Sequence, residues 1–179
     1  MAGGLNLYGY ANGDPINGSD PFGLKVVFTG AEAQALWRQL MADARNARRS
    51  DDEGTRKAGA LLFNTMRSME RHEHTFEISY TPFGGARRRE TGGGESVCLP
   101  VLLTCTVDVD SGAEPLAGRF TTLAHEAGGA WASKQRVGGH DDLLTGGIMY
   151  ENAARRIYGC GGFRSTHTVA QGPPPTYCR

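Results

Sequence analysis

Thr122-Leu123-Ala124-His125-Glu126-Ala127-Gly128-Gly129-Ala130-Trp131 is the stretch on which the reading of this chain turns. Leu123, Ala127, Ala130 and Trp131 recur three and four residues apart, which predicts an amphipathic helix beginning near Arg119. On a helix, residues i and i+4 share one face. His125 and position 129 therefore stand one turn apart, with Glu126 beside the first. Position 129 is glycine, and so is 128. A glycine inside a helix costs up to about 1 kcal/mol against alanine. Two in succession, in an otherwise good helix, need a reason.

The flanking sequence predicts the rest of an α+β body. Thr29 and Glu32 are spaced as a capping box, opening a helix to about Arg49 with Leu36, Trp37, Leu40, Met41 and Ala44 on one face. A second helix is predicted over 55–70, with Ala58, Leu61, Leu62, Met66 and Met69 facing the core. Phe76, Ile78 and Tyr80 then alternate with Glu77 and Ser79, the period of a strand. A short apolar segment follows over 99–103, and 106–109 reads as a further strand or its continuation. Pro115 and Ser111-Gly112 break it. After the His125 helix, a last one is predicted over 148–158, closed by Gly159 as a C-terminal cap. Two helices, a small sheet and two more helices make α+β rather than an alternating βαβ array.

The chain has 179 residues, with 19 Lys+Arg against 19 Asp+Glu. That is one domain plus a tail, large enough to bury a core without metal or disulfide help. The balanced charge argues against a nucleic-acid surface. The basic runs at 45–49 and 87–89 read as a helix end and an exposed loop. No apolar run reaches the length of a membrane span, and the N-terminus lacks the basic and apolar regions of a signal peptide. Cys98, Cys105, Cys160 and Cys178 allow three connectivities. Cys98 with Cys105 could bridge a hairpin, and Cys160 with Cys178 could tie down the C-terminal tail; four idle thiols are the alternative. Disulfides would point to an oxidising compartment.

The opening residues carry a resemblance. Tyr8-Gly9-Tyr10, then Asp14-Pro15-Ile16-Asn17-Gly18-Ser19-Asp20-Pro21-Phe22-Gly23-Leu24, resemble the end of an Rhs/YD-repeat core, written P-x4-D-P-x-G-L. The resemblance implies a division into residues 1–24, the tail of the core, and 25–179, a toxin domain. It implies a release motif of Asp20, Pro21, Gly23 and Leu24, with the mature toxin starting at Lys25. It also implies two partners, the Rhs shell in cis and an immunity protein. The toxin would be a secreted effector delivered into a target cell, its working compartment left open between cytoplasm and periplasm.

The His125 helix resembles the active-site helix of zincin metallopeptidases, H-E-x-x-H, with Gly129 at the second histidine. Tyr150-Glu151-Asn152-Ala153-Ala154-Arg155-Arg156 and Gly159 are similar to the E-N-x-x-R segment of NleD-like effector peptidases. The resemblance implies a zincin-like fold, a small antiparallel or mixed sheet packed with an active-site helix. It implies zinc held by His125 and Glu151, Glu126 as general base, and hydrolysis of a peptide bond in a protein or peptide substrate. Gly129 would inactivate it, and His140 and His167 are further candidates near the site. Alternatives stay open: a toxin of another class such as a nuclease or transferase, or a non-catalytic binding domain. His72-Glu73-His74 could ligate metal from a strand, but a solvated junction is the plainer reading. The glycine-rich segments lack the Lys-Ser/Thr of a phosphate loop.

Overall fold

The computed structural model describes residues 25–81, 94–98, 103–110, 116–135, 142–160 and 162–165. Their elements run β1 (Val26–Thr29), α1 (Ala31–Ala47), α2 (Glu53–Met69), β2 (Thr75–Thr81), β3 (Gly94–Cys98), β4 (Thr104–Asp110), α3 (Leu116–Gln135) and α4 (Gly147–Ile157). The class is α+β, with a small open mixed sheet. Residues 1–24, His140, His167 and Cys178 lie outside the described residues, as does most of the apolar segment predicted over 99–103. Among the described residues no helix is long and apolar enough to cross a membrane.

The sheet order is β1-β2-β4-β3. The first three strands are parallel, and β3 pairs antiparallel with β4. A parallel pair needs a long crossover, and α1 with α2 provides it between β1 and β2. Register sets Val26 beside Phe76 and Cys105, and Val27 beside Glu77 and Thr106. Val26, Phe76, Ile78, Cys105, Val107 and Val109 are buried. Val27, Glu77, Thr106 and Val97 are exposed. One face of the sheet is therefore covered and the other open, which fixes the register, since a one-residue slip would turn every apolar side chain outward. Trp37, Leu40, Leu62, Met66, Met69, Leu123 and Ala127 complete the same core.

Two local expectations change. Thr29 does not cap α1: it ends β1, paired with Ser79. Gly30 takes the cap position at φ 93° with no side-chain bond, a backbone that glycine reaches without strain. The strand β1 itself was hidden by its length of four residues. Helix α2 starts at Glu53 because Asp52 caps it, accepting from the Thr55 N–H at 2.7 Å. Hydrogen bonding from the Thr55 side chain and then its backbone N–H, with help from Arg156, holds the Asp52 carboxyl down at about 2. The predicted end of α4 forms as read. Gly159 sits at φ 63°, its N–H donates to the Arg156 carbonyl, and the Cys160 N–H to that of Arg155. This is the paired bonding of a Schellman motif.

Cys98 and Cys105 face each other across the β3–β4 ladder and are disulfide-bonded, Cα to Cα 4.2 Å. Cys160 is also disulfide-bonded, its partner outside the described residues.

One of the two helix glycines has a packing reason. A Cβ on Gly128 would fall inside the Tyr150 side chain, so α3 and α4 meet closely there. Gly128→Ala should therefore lower stability by about 1–3 kcal/mol in urea unfolding, overpacking outweighing the better helix former. A stabilised Gly128→Ala protein would contradict this packing.

Candidate active site between α3 and α4

The close crossing at Gly128 brings polar side chains of two helices together. His125, Glu126, Glu151 and Arg155 are all buried, His125 at 4% and Glu151 at 3% exposure. The His125 Nδ1 lies 3.1 Å from Glu151 Oε2. Arg155, one turn beyond Glu151, donates from Nε to Glu151 Oε1 at 2.9 Å, and its Nη2 is 2.8 Å from the same oxygen. Arg164 adds an Nη1 at 3.1 Å from Oε2. One carboxylate thus serves three cationic or titratable partners.

Arg164 arrives by a backbone device. The Asn152 side chain donates to the Arg164 carbonyl and accepts from the Arg164 N–H, each at 2.8 Å. This two-bond clasp folds the residues after α4 back along its first turns. Arg155 Nη1 also reaches the Gly162 carbonyl at 3.4 Å. Glu126 lies under the start of β3: a Cβ on Gly94 would come within 2.7 Å of Glu126 Cγ and 2.9 Å of its Oε1. Glycine at 94 is what lets the edge strand pass over that carboxylate.

Burial alone would push the His125 imidazole down. The Glu151 hydrogen bond and the charges of Glu126 and Glu151 outweigh it, against Arg164, and hold the imidazole above its ordinary value. Burial pushes Glu151 up, but the His125 bond, then the Arg164 charge and the Arg155 bond and charge, leave it below its ordinary value. Both directions favour an imidazolium–carboxylate pair. The His125 contribution to stability is complete below 6.5 and fades as pH rises through the raised folded value. The Glu151 contribution is complete above 4.5 and fades as pH falls through the lowered folded value. The melting-temperature difference between the protein and its His125→Gln variant should therefore be largest between those two values and shrink toward alkaline pH. A difference that grew above neutrality would mean that the ring is buried neutral.

The structure brings His125, Glu126 and Glu151 together. It adds Arg164, whose part no local pattern announced; the Glu151–Arg155 spacing of four was the visible half of the network. Among the described residues, the side chains at this crossing do not complete a zinc site. Catalytic zinc takes three protein ligands and a water. Position 129 is buried but has no side chain, and both Glu151 oxygens already accept bonds.

His72-Glu73-His74 lies apart from this site, where α2 gives way to β2. His72 is half-buried, and burial, then the charge of His74, hold its imidazole below the ordinary value, with Glu73 opposing.

Comparison with family models, curated proteins and solved structures gives no match to this chain.

Proposed function

We propose that residues 25–179 are a toxin-type effector domain built on a zinc-peptidase site, carried behind an Rhs core, and that Gly129 leaves the site without its metal. The observation that carries the reading is the buried meeting of His125 with Glu151 at 3.1 Å across the α3–α4 crossing, from positions 26 apart. Two ligand types expected from separate helices converge, and Glu126 adjoins them. An incidental His-Glu pair on a polar helix face would have no reason to be buried. In this reading His125 and Glu151 are the ligand positions, Glu126 is the general base, and the substrate is a protein or peptide. The Rhs shell and an immunity protein are the partners, and a target cell is the destination. No hydrolytic step is assigned to the chain as it stands.

A second reading, a non-catalytic binding toxin, draws on a specific observation. Arg155 and Arg164 occupy the Glu151 carboxylate as a finished ion-pair network would. Restoration separates the two. Expressed without an immunity protein, Gly129→His protein should arrest its host, and a further Glu126→Ala change should relieve the arrest. A host unharmed by folded Gly129→His protein would leave the binding reading standing.

A further inference from the structure

We propose that the junction between α2 and β2 is a separate metal site, in which His72 Nδ1, His74 Nδ1 and the Glu73 carboxylate bind one divalent transition-metal ion of the zinc class. It shares no residue with the His125 cluster and does not rest on the function proposed above.

The geometry is that of a chelate. The two Nδ1 atoms are 3.1 Å apart. Two nitrogens at about 2.0–2.1 Å from one zinc in a tetrahedron are separated by about this distance. Glu73 Oε1 is 3.8 Å from His74 Nδ1, and one ligand atom from each of the three residues lies within 4.8 Å of the others. Two imidazoles and one carboxylate suit zinc and its neighbours better than calcium or magnesium, which prefer oxygen alone.

Ring contacts bring the two imidazoles side by side before any metal arrives. His72 stacks on His74 with centroids 4.8 Å apart, meets Trp131 edge-on at 5.1 Å, and leans on Phe76 at 6.1 Å. Its tautomer is fixed as well. His72 Nδ1 accepts the His74 backbone N–H at 3.1 Å, so its proton sits on Nε2. The Gln135 side-chain nitrogen stands 3.2 Å from that Nε2, and amide nitrogen and oxygen exchange places by a flip of the group. With its oxygen turned to the ring, Gln135 accepts the Nε2–H, the outer-shell bond that ligating histidines characteristically make. Ligation needs His74 to carry its proton on Nε2 too, a tautomer change without net proton release. The metal then takes the place between the two Nδ1 atoms, and the His72 ring turns so that its one lone pair leaves the His74 backbone N–H for the metal. The flank is a groove lined by Asn64, Arg67, Ser68, Arg71, His72 and Trp131, which gives a fourth ligand from solvent a way in.

The test uses the whole chain and two probes, Zn2+ in calorimetry and Co2+ in visible absorption. The unaltered protein should bind one equivalent of Zn2+ at neutral pH, raise its melting temperature on binding, and give Co2+ the intense bands of a four-coordinate site. His74→Gln should abolish binding. Glu73→Gln, at an exposed position, should weaken it without disturbing the fold. Gln135→Ala should weaken it about 10- to 100-fold as an outer-shell partner, with the Co2+ bands kept at saturation. Far-ultraviolet circular dichroism establishes that each variant is folded. No uptake by the unaltered protein, or uptake unchanged in folded His74→Gln and Glu73→Gln proteins, would overturn the proposal.

Discussion

Gly129→His protein should take up one equivalent of zinc more than its parent. Position 129 is one turn beyond His125, on the face that already meets Glu151. The new imidazole would supply the missing third ligand and remove a glycine from a helix interior, a gain of about 0.3 kcal/mol, since histidine is a weaker helix former than alanine. Counting relative to the parent keeps the result independent of any metal held by His72 and His74. Zinc at 100 times its dissociation constant should stabilise the variant by about 2.7 kcal/mol beyond the parent. Adding Glu126→Ala should leave this equivalent bound but remove hydrolysis, because a base is lost and no ligand is. Adding Glu151→Gln should instead lose the metal. A Gly129→His protein with the zinc content of its parent would sink the peptidase reading.

Glu151→Gln in the unaltered chain should cost about 3–5 kcal/mol of stability, the usual result of removing one partner from a buried ion network. The side chain keeps its shape, so packing is not the cause. What changes is that Arg155, Arg164 and the His125 imidazolium, now gathered on one carboxylate, lose their compensating charge. Urea unfolding gives the number. Glu53→Gln is the control: its partner Lys57 is 75% exposed, and breaking that pair should leave the midpoint where it was. Equal effects of the two changes would mean that the Glu151 network is solvated after all.

The helices were legible because their apolar residues repeat on a narrow face. Trp37, Leu40 and Ala44 of α1, and Ala58, Leu62, Met66 and Met69 of α2, are buried as their spacing indicates. The sheet was half legible. Phe76 and Ile78 alternate because only one face of β2 is covered. Strand β1 gave no such signal, since Val26–Thr29 is too short to show a period. That it runs parallel to β2 follows from the α1–α2 crossover, which no residue of β1 announces. At the site, helix spacing says only that position 129 shares a face with His125, and His125, Glu126 and Glu151 could be named through the resemblance to a zincin helix and its later glutamate. Arg164 could not, because its place depends on the Asn152 clasp folding the chain back over α4. Gly128 shows the same limit. Beside Gly129 it reads as half of one puzzling pair, yet the Tyr150 ring accounts for it separately.

The two edges of the sheet are mechanically unequal. At one edge, β1 is four residues with no covalent tie to its neighbour, held by hydrogen bonds and the packing of Val26 and Phe28, and its ladder begins where the Phe76 N–H meets the Lys25 carbonyl at 2.6 Å. At the other, β3 is tied to β4 by the Cys98–Cys105 bond. Tension applied through the residues before Lys25 therefore loads the weaker edge first and can peel it away one bond at a time. Tension reaching β3 meets a covalent stop. A chain drawn through a narrow passage from its N-terminal end would give up its fold progressively from β1. Drawn from the β3 side, it would resist until the sulfur bridge was reduced.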